Sequence, residues 1–280
     1  MESTTNWTPF EADSTDEVLS AFPRPLDALS GGHIPAIVLR GAYPDSARLV
    51  ERFYERGYLD RDTVGKETQL SGGPYLDLGT SLGRVGSDQG IFFAHAARTH
   101  QLFATLFDGF ADPVRAMYDS LSSLGVDKRV QTAEELDGRV YGPAIFRMYH
   151  GNEGHRAHFD SVAKRGSPAS DYIVSEFGKQ FAGILSLQKG SATLSAEPFI
   201  YRCHGPATEV QEILSAGRFD DYAAEHDIPM AQVDLEPGDL YFFFTENVHA
   251  LPPIERDRAR IVLAIFFATS DDDERLFVWS

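Results

Sequence analysis

A single cysteine, Cys203, stands among 280 residues. One thiol closes no intramolecular disulfide and builds no cysteine-based zinc site. Such usage fits a reducing compartment, with Cys203 as a small buried hydrophobe. Long apolar runs are missing as well. The longest, such as residues 261–268, have the length of a strand, far from the ~20 residues of a membrane span. The stretch MESTTNWTPFEADSTDE is polar and acidic, without the basic start and apolar centre of a secretory signal. A cytoplasmic protein with no membrane partner is the expectation. Positive charge is scarce: 25 Lys and Arg against 42 Asp and Glu leave a net charge of −17. That balance supports solubility and repels phosphate backbones, which argues against a nucleic-acid partner. Internal repeats are absent.

The chain is instead rich in apolar and aromatic residues, 42% and 12% of the total. That is enough for one large core, and the length suits one domain. Residues 1–32, polar with scattered prolines, read as an N-terminal arm, and 33–280 as a single domain. A short β-type run covers 34–39. Pro44-Asp45-Ser46 then opens a helix through Tyr58, with Ala47, Leu49, Val50, Phe53 and Tyr54 near helical spacing. Residues 60–92 include GTSLGRVGSDQG and read as a long loop, expected to act as a substrate lid. A second helical region spans 97–124, broken at Pro113. From about 139 the texture turns to strands, at 144–149, 181–188, 199–203, 240–245 and 261–268, with a helical insertion at 208–225. Helices first and short strands after predict an α+β fold. A jelly roll is expected, a double-stranded β-helix of the cupin type with the N-terminal helices packed on one sheet.

The chemistry centres on His158-Phe159-Asp160. In an extended segment, residues i and i+2 point to one side, so this imidazole and carboxylate can take adjacent positions on one metal. A second histidine completes a 2-His-1-carboxylate facial triad, which leaves open positions on iron(II). The motif alone is weak in a chain with 9 His and 42 acidic residues. Its context strengthens it. Far downstream, Pro237-Gly238-Asp239 leads into Tyr241-Phe242-Phe243-Phe244, then His249, then Arg258 before an apolar strand. His155 has the wrong spacing to Asp160 and reads as supporting or solvent-exposed. The remaining histidines read as ordinary core or surface residues.

This order of H-x-D, PGDL with a hydrophobic strand, H-x-x-P and a late arginine resembles the iron(II)/2-oxoglutarate dioxygenases. The resemblance covers roughly residues 140–268. It implies iron(II) on His158, Asp160 and His249, with 2-oxoglutarate and O₂ as co-substrates. It also implies hydroxylation of a C–H bond with release of succinate and CO₂. Halogenating relatives replace the triad carboxylate by a small residue that leaves room for chloride; here Asp160 is present. An arginine clamps the distal carboxylate of 2-oxoglutarate in that family, through the planar guanidinium fork. Arg258 keeps the spacing of prolyl-hydroxylase-like relatives and is favoured; Arg260 matches phytanoyl-hydroxylase-like ones. Arg147 and Tyr149 share a strand face, and either could hydrogen-bond the co-substrate.

The expected substrate is a small anionic molecule: an amino acid, an N-modified amino acid or a natural-product intermediate. Arg84 and Arg165 are its candidate anchors, because the 60–92 and 164–180 segments stand where a barrel mouth would be covered. Two alternatives remain open: a prolyl-hydroxylase-like oxygenase acting on a protein, and a metal-binding jelly roll without turnover. The oligomeric state is left open.

Overall fold

The computed structural model describes residues 7–59, 75–149, 154–164, 171–190, 197–253, 259–269 and 274–280. Its centre is a nine-stranded, mainly antiparallel sheet. The middle strands are β2 (Ala36–Leu39), β5 (Ile145–Tyr149), β7 (Lys179–Gln188), β10 (Leu240–Phe244) and β12 (Arg260–Thr269). They run side by side in the order β2, β10, β7, β12, and β5 also pairs with β12. A second sheet has four strands in the order β6 (His155–His158), β11 (Asn247–Leu251), β8 (Phe199–His204) and β9 (Met230–Gln232).

Strand alternation divides the apolar residues between two jobs. On β10, Leu240, Phe242 and Phe244 join the main core, while Tyr241 and Phe243 face the other way. The main core lies between the large sheet and the helices, which pack on its outer face. Phe53 of α3 (Ser46–Glu55) and Phe103 of α5 (Gln89–Leu106) both meet Phe146 of β5, with ring centroids 5.0 and 5.4 Å apart. Met117 and Leu121 of α6 (Pro113–Leu124) join them at zero exposure.

The Pro-Gly-Asp motif is structural. Gly238 adopts φ +100°, and a Cβ there would lie 2.7 Å from Tyr43 O. Asp239 is buried, accepts from the backbone N–H groups of Gly41 and Glu236, and pairs with Arg40 at 2.5 Å. One carboxylate thus ties the end of β2 to the start of β10.

Two expectations are corrected. From residue 7 onward the N-terminal segment is not an irregular arm. It holds β1 (Phe10–Ala12), α1 (Thr15–Ala21) and α2 (Pro25–Ser30). β1 pairs in parallel with β2, and Val18 and Leu29 are fully buried. Ser14 caps α1 by accepting from Glu17 N, and Pro25 stands at the first turn of α2. With so few apolar residues per helix, their period is hard to see in the sequence. Nor is the described part of 60–92 a loop. It contains β3 (Tyr75–Leu78), α4 (Leu82–Val85) and the start of α5, capped by Asp88, which accepts from Ile91 N. β3 exists because β5 offers it an edge. Residues 60–74 lie outside the described residues, so only that part of the expected lid is left untouched. The helical region of 97–124 is broken as expected, between α5 and α6, and Pro113 begins α6 with Asp112 as its cap.

Among the described residues no helix is long and apolar enough to cross a membrane.

Candidate metal centre and cavity

His158 ends β6 and His249 lies in β11, and the two are direct cross-strand partners. Their ring centroids are 4.3 Å apart. Asp160 follows just beyond β6. Its backbone is pinned at both ends: Asp160 N donates to Thr245 O, and Thr245 Oγ1 donates to Asp160 O. Asp160 Oδ2 then lies 3.6 Å from His158 Nε2 and 3.4 Å from His249 Nε2. The three ligand atoms fall within 4.8 Å of one another, a spacing that suits one ion.

The ring hydrogen bonds decide what this cluster can hold. His158 Nδ1 donates to Arg156 O at 2.7 Å, and His249 Nδ1 donates to Asn247 O at 2.9 Å. Each Nδ1 therefore carries the proton, and each Nε2 presents a lone pair. Two lone pairs and a carboxylate oxygen converge, and they repel unless a proton or a metal ion stands between them. Burial, with the neighbouring His158, lowers the pKa of His249, and Asp160 only partly opposes this. Burial pushes Asp160 up, yet the adjacent His158 and His249 rings hold it well below the ordinary carboxylate range. Neutral imidazoles and an ionised carboxyl are the protonation states of metal ligands. The donor set fits a divalent transition metal such as iron(II).

Between the two β6-side ligands, Phe159 points the other way and is buried. It rests on Gly205, where an added Cβ would come within 2.5 Å of the Phe159 ring. Gly205 is itself tied down by its N–H to Glu246 O. Gly205→Ala is therefore expected to displace Phe159 and skew His158 and Asp160 without changing any ligand. Metal affinity should fall about 10- to 100-fold, the range for disturbed ligand support, as a cobalt(II) titration would read. An unchanged affinity would mean that Phe159 does not hold the ligands.

A cavity of ≈ 110 Å³ opens beside the triad, lined by side chains from both sheets. The large sheet contributes Ile145, Arg147 and Tyr149 of β5, Ala182 and Ile184 of β7, Tyr241 and Phe243 of β10, and Arg260 and Val262 of β12. Arg260 is 8% exposed and lies opposite Tyr149, its guanidinium 5.4 Å from the Tyr149 ring centroid. Arg258 and Arg165 lie outside the described residues. Arg84 of α4 does not line the cavity; its Nε pairs with Asp77 Oδ2 at 3.0 Å.

Of the two readings for His155, the supporting one fits: it lines the cavity, where the β6–β11 register shifts between His249 and Leu251. A bulge of this kind is invisible to strand periodicity. Burial, followed by His158 and Arg147, takes its imidazole down to about 3. Two further residues beside the cavity, Asp77 and Glu197, escaped the sequence reading. Asp77 lay hidden in the presumed loop. Glu197 is buried near Arg260; burial pushes its carboxyl up, against the pull of Arg260 and Lys189.

Comparison with solved structures gives a likeness of fold. An N-substituted L-amino acid dioxygenase from Burkholderia ambifaria AMMD superimposes with a TM-score of 0.58 at 19% identity, covering 91% of this chain and 90% of that one. The same dioxygenase in complex with alpha-KG gives 0.57 at 18%, with the same coverage. No curated protein matches the chain. The family model described as carrier-protein-independent halogenase WelO5 matches residues 5–280. The chain therefore belongs to the WelO5 family, and is an enzyme of the iron(II)/2-oxoglutarate-dependent class.

Proposed function

We propose that the protein hydroxylates an unactivated C–H bond of a small anionic molecule, with iron(II) held by His158, Asp160 and His249. The two sheets that share the cavity are read as the halves of a double-stranded β-helix. Iron(II) with 2-oxoglutarate and O₂ supplies the oxidising power to break such a bond. The chain's residues do the rest. Arg260 takes the distal carboxylate of 2-oxoglutarate in a buried fork, with Tyr149 against the guanidinium face. Ala182, Ile184 and Phe243 keep the cavity dry, which strengthens every charge interaction inside it.

The observation that carries hydroxylation over halogenation is Asp160. Its carboxylate stands within 3.6 Å of both histidine nitrogens, where halogenating relatives have a small residue and room for chloride. A substrate also has an approach. A wider groove lined by Phe199, Tyr201 and Leu214 shares His155, Ala250 and Leu251 with the cavity.

The test is turnover of a panel of amino acids, N-acyl amino acids and neutral analogues under ¹⁸O₂ with abundant chloride. One ¹⁸O atom in the product, matched by succinate, is the expected result. A chlorinated product would overturn the role given to Asp160. Turnover confined to a folded protein would overturn the small-molecule reading.

A further inference from the structure

We propose that Arg147, with Asp77 opposite it on the neighbouring strand, is the carboxylate anchor for the primary substrate, separate from the arginine that serves 2-oxoglutarate. This rests on the reading that Arg260 takes the co-substrate's distal carboxylate.

The two arginines occupy successive rows of one sheet face. Tyr149 and Arg260 form one row; Arg147 and Val262 form the next. Same-face neighbours along a strand are about 7 Å apart, so the two guanidiniums start from different rows and can serve two different carboxylates. 2-Oxoglutarate has two carboxylates. On that reading one lies on Arg260 and the other belongs at the metal, which leaves Arg147 unused.

Arg147 is an unusual residue to leave unused. It lines the cavity, and its Nε is buried with no hydrogen-bond partner among the described residues. Tyr149 engages part of its guanidinium. On β3, Asp77 is its direct cross-strand neighbour, so both side chains stand on one face. Asp77 in turn pairs with Arg84. The carboxylate opposite Arg147 is thus shared with Arg84. A buried guanidinium with an unpartnered N–H is costly until an anion meets it. Asp160 is close by, but its charge is committed to the metal.

More polar atoms await a partner at the same end. Ser280 lines the cavity with Arg147, and its Oγ and the Thr80 Oγ1 are buried without partners among the described residues. Both sit over Gly142, where a Cβ would lie 2.3 Å from Thr80 Cγ2 and 2.6 Å from Ser280 Oγ. The remaining wall, with Ile145, Ala264 and Phe266, is apolar. The ligand class is a small carboxylate carrying a compact apolar chain.

The experiment uses full-length protein loaded with zinc(II), which is redox-inert, and with 2-oxoglutarate. N-acetyl-L-leucine and N-acetyl-L-leucinamide are titrated by calorimetry. Wild type should bind the carboxylate about tenfold or more tightly than the amide, as a charge-assisted fork requires. Arg147→Met and Arg147→Lys should both lose that preference, while the affinity for 2-oxoglutarate stays within about twofold. Arg147→Lys keeps the buried charge and carries the test if the Met variant fails to fold. Equal binding of acid and amide by wild type overturns the proposal. So does a folded Arg147→Lys that loses 2-oxoglutarate instead. An Arg260→Lys variant that binds 2-oxoglutarate normally would fail the underlying reading, and it is seen independently of either Arg147 result.

Discussion

Asp160→Ala is expected to lower iron(II) affinity by at least about 100-fold and to abolish turnover. The magnitude follows from the geometry. Disturbing residues that merely support ligands costs about 10- to 100-fold, and Asp160 is the only anion among the three donors. Removing it leaves two neutral imidazoles and no anionic ligand, the place that chloride fills in halogenating relatives, so the titration is made in chloride-free buffer without 2-oxoglutarate. The backbone of the loop should survive, because Thr245 holds Asp160 through main-chain atoms that alanine retains. Unfolding therefore does not explain a loss of metal, and an unchanged melting curve of the metal-free protein would establish this. His155→Gln is the paired control. It changes a cavity-lining residue that is not one of the three donors, and metal affinity should stay within about tenfold of wild type, below the effect of losing a ligand. If Asp160→Ala binds iron(II) as wild type does, the triad is not the metal site.

The family description gives position 160 a second meaning. A chain that matches a halogenase model over residues 5–280 nevertheless carries a carboxylate where chloride would need space. On the proposed reading, family membership and reaction outcome separate at one side chain, and the ¹⁸O₂ and chloride experiment decides it.

Much of this site was legible because its signals are local. His158 and Asp160 stand two apart at a strand end, and Pro237-Gly238-Asp239 marks a turn into an aromatic strand that leads to His249. The alternation of β10 and β12 is written in Tyr241, Phe243, Arg260 and Val262. What the sequence hid is non-local. β3 is a strand only because β5 offers it an edge, so Asp77 could not be placed beside Arg147 from its own neighbours. His155 reaches the cavity through a register shift between two strands far apart in the chain. The helices of residues 15–30 bury so few apolar side chains that their period is faint, and it is the caps and the core that fix them. Arg84 looked like a free loop cation; it sits on α4 and is spent on Asp77.

Arg260→Lys is expected to weaken 2-oxoglutarate binding by roughly 10- to 100-fold, the effect of losing a buried charge-assisted fork, with Arg258→Lys changing it less than about threefold. Spacing favoured Arg258, which lies outside the described residues; Arg260 lines the cavity. It is buried, stacked toward Tyr149, and on the face that carries Val262 and Ala264 into the same space. Lysine is the informative replacement. A neutral residue would strand Glu197, whose buried carboxyl depends on the positive charge of Arg260 and Lys189, and would mix a folding defect with a binding one. Lysine keeps the charge facing Glu197 and removes only the planar fork, so the loss it causes belongs to bidentate recognition of the carboxylate. The measurement is the anaerobic visible absorption of the iron(II) complex as 2-oxoglutarate is added, which reports binding without turnover. The reverse ranking, with Arg258→Lys impaired and Arg260→Lys normal, would move the co-substrate clamp to Arg258. It would also free Arg260 as a second candidate for the substrate carboxylate, and the acid-against-amide titration on both variants would then decide between Arg260 and Arg147.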